Sequence, residues 1–222
     1  MDKRLKEKLI KGAERLGFFL STYQIELFER FSEDLIFWNR IVGITANRTI
    51  PEIIDSMLLD SIAFNLLKIE VGSLKTCDFG TGGGFPGIPL KILYPDLDIT
   101  LIDSSIKKCS FIERIGINFG LKNFCAVCER GGTASFKKRF KNSFDIVFSR
   151  ACADMGKLIE LTFPSLKQGG KLIAWKGPLW TSEVENSKKL MERYNATVDF
   201  HFDYKVSDNS SIKTIAVVKK AF

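Results

Sequence analysis

Residues 77–103, CDFGTGGGFPGIPLKILYPDLDITLID, decide the fold. A short β-rich run ends at Phe79, a glycine-dense turn follows, and the apolar spacing after Pro86 is helical. Glycines at 80, 82 and 84 let the backbone turn sharply and come close to a ligand, where a Cβ would clash. The next strand ends in an acid, Asp103. An acid at that point can accept hydrogen bonds from both ribose hydroxyls of a nucleoside. Strand, glycine turn, helix, strand and acid together predict a pocket for an adenosine-like cofactor. NAD and S-adenosylmethionine both satisfy that geometry.

The pattern continues outward on the C-terminal side. Strands are expected at 74–79, 99–102, 124–128, 144–148 and 171–175, with helices near 86–94, 106–119 and 155–166. Such alternation predicts βαβ units, a parallel sheet and right-handed crossovers. A helix near 182–194 then precedes two alternating runs, 197–204 and 213–219. Only Ser207-Asp208-Asn209-Ser210 joins them, too short a link for a parallel crossover, so they should close as an antiparallel hairpin. That gives seven strands, five of them parallel.

On the N-terminal side, residues 1–70 read as helices. Ser21-Thr22-Tyr23-Gln24 has the form of a capping box, followed by Phe28, Phe31, Leu35 and Trp38 at helical spacing. A second start combines Thr49, Pro51 and Glu52, and an apolar stripe of Ile53, Met57, Ala63, Leu66 and Leu67 runs on through Lys68. The expected organisation is a helical N-terminal extension over 1–70, packed on an α/β domain over 71–222.

Composition narrows the function class. Of 222 residues, 45% are hydrophobic and 27% charged, as in an ordinary globular protein. The longest apolar runs are strand-sized, well short of a bilayer span, and the N-terminus lacks the pattern of a secretory signal. A cytoplasmic protein without membrane association is expected, with a monomer as default. The net charge of +7, from 33 basic and 26 acidic residues, favours an anionic partner. Three basic clusters sharpen this toward nucleic acid: Lys137-Lys138-Arg139 with Lys141; Lys107, Lys108 and Arg114; and Lys188, Lys189 and Arg193. Cys125 and Cys128 form a CxxC, but His201 is the only histidine, so no four-ligand zinc set assembles and no metal is expected. The five cysteines (77, 109, 125, 128 and 152) read as reduced, partly buried thiols. His201 sits in an alternating run and reads as a half-exposed sheet residue.

Three features favour the methyl donor over a nicotinamide. Asp78 stands just before the glycine turn, where it can help bind a methionine ammonium group. A terminal hairpin is unusual for nicotinamide domains. No separate domain supplies a proton donor for hydride transfer.

The run DFGTGGGFPGIPLKILYPDLDITLIDS, then Phe144-Asp145-Ile146-Val147-Phe148-Ser149-Arg150-Ala151, then Trp175-Lys176-Gly177, resembles the bacterial 16S ribosomal RNA guanine-N7 methyltransferases, the glucose-inhibited division protein B family. The likeness covers roughly residues 35–180. It implies a Rossmann-like seven-stranded S-adenosylmethionine-dependent fold whose partner is ribosomal RNA or the small ribosomal subunit particle. Residue by residue, Gly80 and Phe85 match positions lining the cofactor, and Thr81 and Gly82 lie in the same loop. Gly131 and Gly132 match the residues flanking the adenine. Arg150 matches a further cofactor-site position, and Arg130 and Lys176 match basic positions near the RNA-facing cleft. Arg150, Arg130 and Lys176 are expected to position substrate rather than to move protons. The chain departs from the family at Met57, where a histidine is usual, at Gly43-Ile44-Thr45 in place of Asn-Leu-Thr, at Gly131-Gly132-Thr133 in place of a hydrophobic-acidic run, and at Ser110 in place of a frequent arginine.

Other readings have weaker support. An exocyclic-amine methyltransferase would carry an Asp/Asn-Pro-Pro-aromatic motif where Ser149-Arg150-Ala151 stands. Cys152 lies near the position of a cytosine-C5 nucleophile without that class's motifs. A methyltransferase for protein or a small molecule, a nicotinamide oxidoreductase and a non-catalytic RNA-binding module complete the alternatives.

Overall fold

The computed structural model describes residues 1–208 and 210–221. A single mixed sheet forms its centre. The strands are β1 (Lys75–Phe79), β2 (Asp98–Asp103), β3 (Phe124–Cys128), β4 (Phe144–Arg150), β5 (Leu166–Lys176), β6 (Ala196–Tyr204) and β7 (Lys213–Lys220). Their order is β3-β2-β1-β4-β5-β7-β6. The first five are mutually parallel, and β7 inserts antiparallel between β5 and β6. The expected hairpin forms, although Asn209 of its link lies outside the described residues.

Side-chain alternation assigns each sheet face its own core. Ile99, Leu101, Ile146, Phe148, Ile173, Ile215 and Val217 point to one face. There they meet α5 (Gly87–Leu93), α6 (Ile106–Asn118) and the N-terminal helices α1 (Lys3–Arg15) and α2 (Thr22–Val42). Cys77, Val147, Leu172, Ala216 and Val218 point to the other face, against α7 (Ala134–Phe140), α8 (Met155–Thr162), α9 (Trp180–Asn186) and α10 (Lys188–Arg193). Both capping boxes are made, Ser21 with Gln24 and Thr49 with Glu52. Gln24 also reaches across to the Ile92 and Leu93 carbonyls at the end of α5, which fixes α2 to the sheet layer.

Several elements differ from the sequence reading. The stripe after Thr49 is not one α-helix. It runs as α3 (Ile50–Ile53), a π-helical turn (Ile54–Leu58), α4 (Leu59–Ile62) and a 3₁₀ turn (Ala63–Leu67). Residues 53–64 are apolar except at Asp55, Ser56, Asp60 and Ser61, so no gap in the apolar pattern marks where the helix widens. α8 stops at Thr162 because Pro164 cannot continue it. The helix expected over 182–194 divides at Ser187, whose hydroxyl bonds back to the Glu183 carbonyl at 2.6 Å. β5 begins at Leu166, earlier than expected, and its register against β4 shifts between Phe144 and Ile146. Cys125 and Cys128 are exposed because β3 is the sheet edge, whereas Cys77 and Cys109 are buried.

Candidate functional site

β1 and β4 are neighbours from which the chain proceeds in opposite directions across the sheet. A crevice must open beyond their carboxyl ends, and ligands of open α/β sheets bind in such a crevice. Both the glycine turn after β1 and Arg150 at the end of β4 lie there.

The turn is pinned to β2. Gly80 and Thr81 both donate backbone N–H groups to the Ile102 carbonyl, at 2.9 and 3.1 Å. Gly80, Gly82 and Gly84 have φ of 71°, 60° and 91°, left-handed values that favour glycine. Gly82 N donates to Asp103 Oδ2 and Ser105 N to Oδ1, both at 2.9 Å. Asp103 is thereby held with one backbone donor on each oxygen, and its remaining lone pairs are available to hydroxyl donors.

Asp78 lies behind the turn, fully buried. Its Oδ2 accepts from Thr81 Oγ1 at 2.6 Å and Gly87 N at 2.8 Å, while Oδ1 has no partner among the described residues. Burial pushes this carboxyl up to about 7, against the opposing pull of those two hydrogen bonds and of the Arg150 charge. Thr81 and Phe85 are also buried. Phe85 packs on Phe31, ring centroids 5.1 Å apart, and its ring lies 5.6 Å from the Arg150 guanidinium.

Two cavities open nearby; of the turn only Gly80 borders the larger, and Asp78, Thr81, Gly82 and Phe85 border neither. The larger, about 630 Å³, brings together Gly80, Asp103, Glu129, Arg130, Gly131 and Gly132. The bare backbone of Gly131 has a local cause. A Cβ there would stand 2.1 Å from Phe79 Cζ, so the phenyl ring fills the space a side chain would need. The smaller cavity, about 490 Å³, is bordered by Arg150, Asp154, Lys176, Glu183, Tyr204 and Lys213. Ala151 and Cys152 border both cavities and form the wall between them. Cys152 is exposed, against the expectation of a partly buried thiol, yet desolvation by the surrounding walls raises it above its ordinary value, so it is not a ready thiolate.

Arg150 is anchored from the N-terminal helices. Its Nη1 donates to the Ser56 carbonyl at 2.9 Å and to Asp60 Oδ2 at 3.0 Å, while its buried Nε has no partner among the described residues. Asp60 is almost completely buried and gathers further donors. Lys213 Nζ reaches Oδ1 at 2.9 Å, the Tyr204 hydroxyl donates to the same oxygen, and Trp175 Nε1 donates to the Asp60 carbonyl at 2.8 Å. Burial first, then the adjoining Asp60 charge, raises the Tyr204 hydroxyl far above its usual range, so it stays protonated as a donor.

The structure separates the two other basic candidates. Lys176 is 6% exposed, its ammonium group held by the Ala153 carbonyl at 2.8 Å and Glu183 at 2.5 Å. It therefore braces the wall of the smaller cavity. Arg130 is exposed at the rim of the larger one. Nothing in the sequence reading selected Asp60, Glu129, Tyr204 or Glu183. For Asp60 a signal existed: an acid flanked by apolar residues in a helical stripe has to find a partner. His201 is exposed, its ring centroid 4.8 Å from that of Trp180 with the planes tilted by 51°. Among the described residues no group of three or more His, Cys, Asp or Glu converges as a metal site.

Asp103 with spare acceptor capacity, an unpartnered buried carboxylate oxygen and an unpartnered buried guanidinium N–H suit the ribose, ammonium and carboxylate groups of S-adenosylmethionine.

The family model for rRNA small subunit methyltransferase G matches residues 24–209. A ribosomal RNA small subunit methyltransferase G from Lachnoclostridium phytofermentans is 36% identical, covering 95% of this chain and 87% of its own. One from a Geobacter species is 35% identical, covering 96% of each. Among solved structures, a methyltransferase from Pyrococcus furiosus superposes with a TM-score of 0.57 over 86% of this chain and 98% of its own, at 16% identity. An S-adenosylmethionine-dependent methyltransferase from Aquifex aeolicus does so with 0.54 over 76% and 93%, also at 16% identity. These two are similar to the chain in fold.

Proposed function

The chain belongs to the rRNA small subunit methyltransferase G family, and from that premise we propose that the larger cavity takes the nucleoside of S-adenosylmethionine, that its amino-acid end turns inward to Asp78 and Arg150, and that the smaller cavity receives the guanine whose N7 is methylated. The observation that carries this reading is the pair of unpartnered buried atoms at adjacent strand ends, an acceptor at Asp78 Oδ1 and a donor at Arg150 Nε. Opposite in polarity, they match a zwitterionic amino acid, which a nicotinamide dinucleotide does not carry.

When bound, the cofactor supplies an electrophilic methyl group on a sulfonium centre. Asp103 accepts from the ribose hydroxyls, Asp78 from the ammonium group, and Arg150 Nε donates to the carboxylate. Gly131 and Gly132 offer backbone beside the adenine. Guanine N7 carries a lone pair and no proton, so no side chain has to remove one. Catalysis would then rest on alignment, with Ala151 and Cys152, where the two cavities adjoin, marking the place at which guanine and methyl donor would have to meet. Arg130 contacts RNA phosphates, while Lys176 acts through the wall it braces. The basic clusters Lys107-Lys108 and Lys137-Lys138 extend the phosphate-facing surface.

On this reading residues 1–70 are a helical extension that carries Asp60 to the site, and residues 71–222 are the catalytic domain. The protein works as a cytoplasmic monomer on ribosomal RNA or the small-subunit particle. No helix among the described residues is long and apolar enough to cross a membrane.

The test is nucleoside mass spectrometry of small-subunit RNA incubated with the protein and methyl-labelled S-adenosylmethionine. Labelled 7-methylguanosine, absent with Asp103→Ala, is the expected result. Cofactor binding with no labelled nucleoside in free RNA or particles would overturn the substrate.

A further inference from the structure

Glu129 is the residue after β3, and its backbone N–H donates to the Asp103 carbonyl at 3.0 Å. The two acids therefore leave adjacent parallel strands side by side, and both border the larger cavity. The Glu129 side chain is 13% exposed. Its two oxygens are in different circumstances. Oε2 lies 3.5 Å from an Arg139 nitrogen, whereas Oε1 is buried with no hydrogen-bond partner among the described residues. A buried acceptor left unpaired is unfavourable until a donor reaches it.

The cavity says which donor fits. A nucleoside held through its ribose at Asp103 cannot extend toward β1, because the glycine turn occupies that side through Gly82 N. Its base must extend outward toward β3, between the apolar surfaces of Phe79 and Leu161 and beside Gly131 and Gly132, which contribute no side chains. At the far edge of an adenine is an amine with two N–H donors. We propose that Glu129 Oε1 accepts a hydrogen bond from the adenine 6-amino group and so sets the preference of the site for adenine over a 6-oxo purine. This rests on the cofactor reading above. A plainer role for the same carboxylate is to balance the lining cations Lys108, Arg130 and Lys137.

The two roles differ in a measurable ratio. Dissociation constants for S-adenosylhomocysteine and S-inosylhomocysteine are measured by calorimetry on the full chain and on Glu129→Gln. A hydrogen bond to a charged acceptor is worth roughly 10- to 100-fold in affinity, and inosine places a carbonyl oxygen against that acceptor. The unsubstituted protein should therefore prefer the adenosyl ligand by at least about 10-fold. In Glu129→Gln the amide can turn its NH2 toward the inosine O6, and the preference should fall to within about threefold. Equal weakening of both ligands, with the ratio kept, would overturn the proposal in favour of charge balance. So would an absence of preference in the unsubstituted protein, which needs no variant to fold. Failure of the unsubstituted protein to bind either ligand would instead overturn the cofactor reading itself.

Discussion

Asp60 offers the sharpest test of how the site is held. One carboxylate accepts from Arg150, Lys213 and the Tyr204 hydroxyl, drawing the ends of β4 and β6 and the start of β7 onto α4. The Asp60 side chain is 4% exposed, Arg150 17% and Lys213 28%. Asp60→Ala strands two of these donors in the interior, while Lys213 is near enough to water to recover part of its hydration. Breaking a buried ion pair by removing one partner costs about 3–5 kcal/mol, and the exposure of Lys213 puts this case toward the lower end. Domains hold about 5–15 kcal/mol in total, so the variant should remain folded with much less margin. With a urea dependence of about 2–3 kcal/mol per molar, the unfolding midpoint should drop by roughly 1–2 M. Tryptophan fluorescence is the natural probe, since the Trp175 indole donates to the Asp60 carbonyl.

Stability alone would not separate a buttress from a positioning residue, so S-adenosylhomocysteine affinity is measured on the same variant. An Arg150 released from Asp60 no longer presents Nε at a fixed point, and binding should weaken about 10-fold or more, as for loss of a charged hydrogen bond. Asp60→Asn keeps the shape and one acceptor oxygen and should show about half of each effect. A midpoint within about 0.3 M of the unsubstituted protein, or unchanged ligand affinity in Asp60→Ala, would refute the reasoning.

Asp78 predicts a pH dependence. Its folded-state value near 7 lies above the ordinary 3.8, so ionisation opposes folding. That penalty is absent below about pH 4, grows toward pH 7 and is constant above it. Ligand binding should be linked in the opposite sense, because the ionised form is the one that accepts from an ammonium group. S-adenosylmethionine affinity should rise from pH 6 toward 8 with proton release visible in buffer-dependent calorimetry, and Asp78→Asn should lose the release. Unchanged proton release in Asp78→Asn would refute the assignment. Gly131→Ala drives a methyl group into the Phe79 ring and should cost about 1–3 kcal/mol; adding Phe79→Leu should recover most of it, and additive losses in the double variant would show that the ring is not the obstacle. Arg150→Ala should lose methylation by more than about 100-fold while remaining folded, because Lys213 and Tyr204 still hold Asp60 through Oδ1 although Oδ2 loses its donor; parallel loss of fold and activity would refute a role at the site.

What could be read in the sequence was what the backbone dictates locally. The glycine turn, the strand alternation and Asp103 all arise from conformational needs that a few neighbouring residues express. The hairpin followed from the shortness of its link. The Asp60 assembly had no such expression. Its partners stand 90, 144 and 153 positions away, and no spacing rule connects them. Glu129 was passed over for its basic neighbour because a lone acid at a strand end is unremarkable until one of its oxygens proves buried and unpaired. Lys176 illustrates the reverse case, a basic residue read as RNA-facing whose ammonium group is taken up by Glu183 and the Ala153 carbonyl. Neither the break-up of the 50–67 helix nor its use could be read from the apolar stripe, which suits one continuous helix. The π turn includes Ser56, whose carbonyl accepts from Arg150.

That anchoring bears on the chemistry. Methyl transfer to guanine N7 moves a positive charge from sulfur to the purine, so an additional free cation beside the ring would oppose the product. An unrestrained arginine would be worse, since its most common contact with guanine is a bidentate fork on O6 and N7, which would cover the nucleophilic lone pair. Arg150 borders the smaller cavity, yet Nη1 is committed to Asp60 and Ser56. With that nitrogen engaged, the fork formed by Nη1 and Nη2 is not free to lie across the purine edge, and the carboxylate offsets the guanidinium charge. Nε and Nη2 are left to donate; with Nε on the cofactor's carboxylate, as proposed, no adjacent pair of free nitrogens remains for a fork. On the proposed reading, the buried carboxylate of the helical extension keeps an arginine at the junction of the two cavities without letting it compete for the atom to be methylated.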